Sequence, residues 1–215
     1  MPNPQQLPDP QQPPNWLRRV VVLAGGPSRR LGQDKLAADL GGGTVLDVLL
    51  EGLAKATADA DVVVVGPHRP GPADLLRVRE DPPGGGPVAG LAAGMATNLG
   101  RGLGDDDLVA VLAGDQPFAA RALPVLATVV GGDWDGAVGV DRDGRDQPLL
   151  AVYRAGPLRR AIGRHPAGAR VRDVVGRLRV ARTPLPEDSS VDVDTVADLE
   201  RAREVLRRER AARRP

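Results

Sequence analysis

Short runs of apolar residues, each stopped by glycine or by glycine with aspartate, organise this chain from Arg19 onward. Val20, Val21, Val22 and Leu23 form the first run, which ends at Gly25-Gly26. Residues 62–65 repeat the pattern before Gly66-Pro67, and residues 108–113 repeat it before Gly114-Asp115. Runs that are apolar at every position predict strands covered on both faces. A shorter run, residues 76–80, leads into Asp81-Pro82-Pro83-Gly84-Gly85-Gly86. Between these runs the apolar period becomes helical. Thr44, with Asp47 three places on, predicts a capped helix over residues 45–58. Pro87 suits the first position of a second helix reaching about residue 98. Further helices are expected over residues 119–130, 157–164 and 171–178, and a last one from Thr195, where Asp198 completes another capping box. Residues 137–140 and 149–153 predict strands flanking the polar turn 141–145, and residues 180–183 a final strand.

Strands alternating with helices imply an α/β fold of three layers, Rossmann-like, with a mostly parallel sheet. No internal repeat is present. Residues 16–205 form the expected single domain, followed by a basic end over residues 206–215. Residues 1–15 are dominated by proline and glutamine and offer too little apolar surface to offset the entropy of ordering. They are read as a disordered tail, with a PxxP-type ligand as the alternative.

Composition narrows the function classes. The 215 residues carry 29 Lys+Arg against 28 Asp+Glu, a net charge of +1, so no global field points to nucleic acid or a membrane surface. Cysteine is absent, which excludes disulfides and thiolate metal sites. No apolar stretch approaches the roughly 20 residues that span a bilayer, and no apolar leader core is seen, so a cytoplasmic location is expected. Trp16, Trp134, Phe118 and Tyr153 are too scattered for a base-stacking platform. His68 and His165 lack ligand spacing and are read as surface residues, and Asp105-Asp106-Asp107 as a solvated loop. Residues 201–214 are read as an exposed helix end, with a polyanion-binding arm as the alternative.

In parallel α/β sheets, ligands bind beyond the carboxyl ends of the strands. Three polar motifs fall there: residues 25–35, residues 81–86 and Gly114-Asp115-Gln116. Gly25 and Gly26 allow close backbone approach to a phosphate, and Arg30 and Lys35 can neutralise it. The stretch is not a P-loop, because Lys35 is neither preceded by glycine nor followed by serine or threonine. Nor does it supply the dinucleotide fingerprint G-x-G-x-x-G. Kinase, GTPase and dehydrogenase readings lose their main support.

What remains resembles the MobA-like nucleotidyltransferases, and among them most closely the molybdenum cofactor guanylyltransferases. The opening signature L-A-G-G-x-S-x-R-x-G-x-D-K is matched by Leu23, Ala24, Gly25, Gly26, Ser28, Arg30, Gly32, Asp34 and Lys35. Asp81 with Gly86-Pro87-Val88-Ala89-Gly90-Leu91 matches a second block, and Asp115-Gln116-Pro117-Phe118 a third. Gln147-Pro148-Leu149 and Asp192-Val193-Asp194-Thr195 match two weaker ones, so the resemblance runs from about Arg19 to Arg203.

The resemblance implies a nucleotidyltransferase fold and Mg²⁺-dependent transfer of GMP from GTP to molybdopterin, with release of pyrophosphate. It implies Arg30, Lys35 and Asp115 as catalytic residues. It places Leu23, Ala24, Gly25, Gly26, Lys35, Asp81 and Asp115 on the nucleotide. Asp115 would be the Mg²⁺ ligand, with Asp192 and Asp194 either a second metal site or a negative approach to a helix N-terminus. Transient contacts with other cofactor-biosynthesis proteins or apo-molybdoenzymes would follow, and no nucleic acid or membrane partner. Gly25 and Pro87 fall on the guanine side, since cytidylyl-transferring relatives resemble L-A-A-G and lack the second block. Three places depart from the pattern: Gly66 stands where asparagine is frequent, Gly114 where cysteine is frequent, and Asp192-x-Asp194-Thr195 where the late motif is N-x-N-T. The alternatives are use of CTP or another phosphorylated acceptor, and nucleotide binding without turnover.

Overall fold

The computed structural model describes residues 17–26, 31–32, 34–57, 59–69, 75–99 and 102–212. The expectations for residues 1–15 and for Arg30 lie outside them. Seven strands form one sheet: β1 (Leu17–Leu23), β2 (Asp61–Val65), β3 (Leu76–Val78), β4 (Leu108–Ala113), β5 (Gly136–Val140), β6 (Asp146–Arg154) and β7 (Val180–Pro184). Their order is β3-β2-β1-β4-β6-β5-β7. The helices are α1 (Val45–Ala56), α2 (Pro87–Ala96), α3 (Leu123–Val129), α4 (Ala155–Ile162), α5 (Val171–Val175) and α6 (Val196–Ala212).

The central strands show why their runs are apolar throughout. Side chains alternate between the faces of a sheet. Val20 and Val22 join the core beneath α1, α3 and α6, while Val21 joins the core beneath α2, α4 and α5. The same alternation places Ala110 and Leu112 on the first side and Val109 and Val111 on the second. Each face of the sheet thus has its own apolar core, and the three-layer α/β architecture follows.

The sheet is mostly parallel, as expected, but β6 runs antiparallel to both β4 and β5. The reversal is forced by the short turn after β5, since a tight turn can join only antiparallel neighbours. β6 also starts at Asp146 instead of Leu149, because Asp146 and Gln147 pair with Val140 and Gly139 across that turn. The helix expected over residues 119–130 is broken into a 3-10 turn, Ala119–Ala122, and then α3. Pro124 has no N–H, and its ring conflicts with the carbonyl four residues back, so a continuous α-helix is disfavoured there. Both expected capping boxes are present: Thr44 with Asp47 at α1, and Thr195 with Asp198 before α6.

Parallel register brings three strand ends together. Leu23 lies beside Val65 of β2 on one side and Ala113 of β4 on the other. Val65 in turn lies beside Val78 of β3, so the polar motifs that follow β1, β3 and β4 leave the sheet on one rim.

Candidate functional site

At that rim the backbone is already partly committed. The Ala24 amide donates to the Val65 carbonyl at 2.7 Å, and the Gly114 amide donates to the Leu23 carbonyl at 2.9 Å. The Ala24 amide, one of four expected to face a ligand, is thus used by the sheet. Gly25 and Gly26, both exposed, are the residues of this stretch that open onto the rim. Gly66 explains the tightness. Its φ is +153°, and a Cβ there would lie 2.7 Å from the Ala24 carbonyl carbon and oxygen. Asparagine at this position would displace the end of β1.

Beside the glycines lies a cleft of about 380 Å³. Leu23, Val65, Ala113 and Leu149 supply its apolar wall, Gly25, Gly26, Gly84, Gly86 and Gly90 its close-approach backbone, and Asp115 and Glu80 its carboxylates. Asp81, expected on the nucleotide, is exposed and not among the residues lining this cleft. Its neighbour Glu80 lines the cleft and accepts from the Gly84 amide at 3.0 Å. The family motif drew attention to Asp81; the alternation of side chains along the chain from β3 was the signal for Glu80.

Lys35 stands on a 3-10 turn, Lys35–Ala37, whose N-cap is Asp34. Its ammonium donates to Asp115 Oδ2 and, at 2.7 Å, to Asp194 Oδ1. The three come from separate parts of the fold: the turn after β1, the end of β4 and the entry to α6. The entry is docked by the Val193 amide, which donates to the Asp115 carbonyl at 3.0 Å. Burial opposes charge on Lys35, but the bonds to Asp115 and Asp194 outweigh it and raise its pKa above the usual 10.5. A raised lysine stabilises the fold fully below the unfolded value, and that contribution is lost only as pH rises through the higher folded one. Lys35 is therefore a fixed positive charge across the neutral range.

Asp192 is brought to the same place but titrates oppositely. Burial, then the negative charges of Asp194, Asp115 and Asp198, outweigh a backbone hydrogen bond and raise its pKa above 3.8. The folded state then holds its proton more tightly than the unfolded chain, so ionisation of Asp192 costs stability as pH rises. Asp192→Asn is expected to raise the melting temperature at pH 7 in metal-free buffer. The gain should shrink as pH falls and vanish below 3.8, which melting curves across pH will check.

Asp192 also borders a second cleft, of about 340 Å³, whose walls carry Arg142, Arg145 and Arg201 together with Asp141, Asp143, Asp188 and Asp198. Asp115 thus lines an apolar, glycine-edged cleft, and Asp192 a polar one of mixed charge. Among the described residues, no group of three or more His, Cys, Asp or Glu forms a metal cage. The pair Asp115 and Asp194, converging on one cation, fits Mg²⁺, which takes one or two carboxylates and completes its shell with water and phosphate oxygens. His68 and His165 are exposed, as expected. Asp105 and Asp106 are also exposed and pair with Arg159 and Arg154.

The model of the MobA-like NTP transferase domain matches residues 20–182. The chain belongs to the MobA-like NTP transferase family. Relatives include a probable molybdenum cofactor guanylyltransferase of Bacillus thuringiensis, 30% identical over 139 residues that span 62% of this chain and 66% of that protein. One of the same name from Mycobacterium bovis is 34% identical over 136 residues with the same coverage. The match therefore takes in slightly less than two thirds of these relatives' length. Among solved structures, molybdopterin-guanine dinucleotide biosynthesis protein A of Archaeoglobus fulgidus is similar at a TM-score of 0.62 and 24% identity, covering 88% of this chain and 99% of its own. A 2-C-methyl-D-erythritol 4-phosphate cytidylyltransferase of Thermus thermophilus gives 0.60 and 20%, covering 87% and 98%. These two likenesses concern the fold. In the MobA-like domain described here, the glycine-edged cleft is built by the segments that carry the family's first three motifs.

Proposed function

We propose that this protein transfers GMP from GTP to the terminal phosphate of molybdopterin, releasing pyrophosphate. The observation that carries the reading is Lys35 held between Asp115, which lines the glycine-edged cleft, and Asp194, two residues on from Asp192 of the second cleft. The nucleotide occupies the glycine-edged cleft, and the acceptor the mixed-charge one, where Arg142, Arg145 and Arg201 are the cations available to its phosphate.

In the reaction an acceptor phosphate oxygen forms a bond to the α-phosphorus of GTP. The bond from that phosphorus to the α–β bridging oxygen breaks, and its electron pair leaves on pyrophosphate. Two anions must approach, so neutralisation and positioning dominate the barrier. Lys35 is permanently charged at neutral pH and holds the leaving phosphate oxygens, with Arg30 as its expected companion. Asp115 and Asp194 would hold Mg²⁺, which would supply further neutralisation of the phosphate oxygens. Gly25 and Gly26 let the nucleotide approach the backbone.

Guanine is favoured over cytosine by Gly25. Among the described residues a Cβ there meets no atom within 4 Å, so none of them demands glycine at this position, and its lack of a side chain leaves room in the cleft. The structural likeness to a cytidylyltransferase makes CTP the competing reading. Thermal-shift titration with GTP, CTP and ATP in Mg²⁺ is expected to show stabilisation by GTP of about 2.7 kcal/mol at a hundredfold excess over its Kd. Stabilisation by CTP alone would reject the guanine assignment. The protein is proposed to act in the cytoplasm; among the described residues no helix is long and apolar enough to cross a membrane.

A further inference from the structure

Arg69 belongs to none of the motifs, yet it touches both ends of the segment that carries them. It lies four residues beyond β2, and its side chain is 14% exposed. Nη1 donates to the Ala24 carbonyl at 2.5 Å, at the exit of β1. Nε and Nη2 donate to the two carboxylate oxygens of Asp34 at 2.7 and 3.3 Å. Asp34 Oδ1 in turn accepts from the Leu36 amide at 3.1 Å and so caps the turn that presents Lys35. One rigid guanidinium therefore joins the residue before Gly25 to the residue before Lys35. The forked geometry is specific to arginine, because a lysine ammonium is a single point that cannot span the carboxylate and the distant carbonyl together.

Gly66 brings this about. Because it has no side chain, the segment after β2 lies against the Ala24 carbonyl, near enough for Arg69 to reach it. The paired Asp34 carboxylate is held below the usual aspartate range, chiefly by its bond from Arg69, and stays ionised at neutral pH.

We propose that Arg69 is a positioning residue for phosphate transfer: it sets the separation between the Gly25-Gly26 backbone and the Lys35 ammonium, and so the grip on the triphosphate. The proposal rests on the nucleotide reading of the glycine-edged cleft. A displacement of this kind costs rate and phosphate affinity without touching the base.

The test compares wild type, Arg69→Ala, Arg69→Lys and Asp34→Asn by two readouts. In the first, calorimetric titration gives the ratio of GMP to GTP dissociation constants, which isolates the contribution of the β- and γ-phosphates. Arg69→Ala is expected to shrink that ratio about tenfold, with Arg69→Lys restoring little of it. In the second, an amine-directed reagent labels the protein without nucleotide, and mass spectrometry compares Lys35 with the exposed Lys55 of α1. Arg69→Ala and Asp34→Asn are each expected to raise the relative labelling of Lys35 several-fold, since the turn beneath it is released. An unchanged ratio with unchanged labelling overturns the proposal, and so does full rescue by lysine. If wild type binds neither GTP nor GMP while Lys35 labelling still responds to Arg69, the clamp exists but the nucleotide reading has failed, and the positioning role falls with it.

Discussion

Asp115→Ala is expected to lower pyrophosphate release from GTP and molybdopterin about a thousandfold, in line with the loss of a preorganised charged group from a phosphoryl-transfer site. The side chain is 21% exposed at the end of β4 and fills no core space, so the melting temperature should change little. The Val193 amide bonds to the main-chain carbonyl of residue 115 and survives the substitution, so the segment carrying Asp192 and Asp194 remains docked. What disappears is one of two carboxylates that converge on Lys35. Asp115→Asn preserves shape and removes charge, and it should lose nearly as much activity as the alanine variant. Steady-state pyrophosphate assays on both variants decide the matter. Wild-type turnover in either would reject a charge-dependent role for Asp115.

Lys35→Met is expected to be nearly as damaging to turnover, about a hundredfold or more, and unlike Asp115→Ala to destabilise the fold at neutral pH. Without the ammonium, Asp115 and Asp194 confront each other near half-buried Asp192, and like charges at such range repel. Repulsion exists only between ionised groups, so the variant's stability deficit should grow from acid toward neutral pH. Added Mg²⁺ should restore part of the stability, because a cation again stands between the carboxylates, but not the activity. Urea denaturation at pH 4 and pH 7, with and without Mg²⁺, measures each effect. A deficit that is the same at both pH values would show that Lys35 contributes only by packing.

The parts of this molecule that were legible beforehand are those in which a local pattern has one physical cause. Runs apolar at every position mean strands buried on both faces, and Val20, Val21 and Val22 divide between the two cores accordingly. Thr44 with Asp47 could be read because a capping box is a contact between neighbours in sequence. Pro124 could have warned of the break before α3, but the apolar period around it masked the missing N–H. The site was legible in its strand-end residues, Gly25, Gly26 and Asp115, because parallel strands bring their carboxyl ends together. It was not legible where the chain closes over long separations. That Asp194 reaches Lys35, and not merely the start of a helix, depends on how α6 docks. Arg69 carries no motif and no period, and only the three-dimensional path after Gly66 gives it a role.

The bond between Lys35 and Asp194 spans 159 positions of sequence. A chain emerging from the ribosome and folded only through β4 already possesses the glycines, Lys35 and Asp115, yet lacks the second carboxylate. Asp194 arrives with the entry to α6, after β6 and β5 have been inserted beside β4 and β7 has closed the edge. Contacts of such high sequence separation close late, because the intervening chain must be ordered first. The pairing at Lys35 thus ties the two carboxylates to the order of synthesis: a chain cut before residue 194 can build the cradle, but only one made through Asp194 carries both carboxylates.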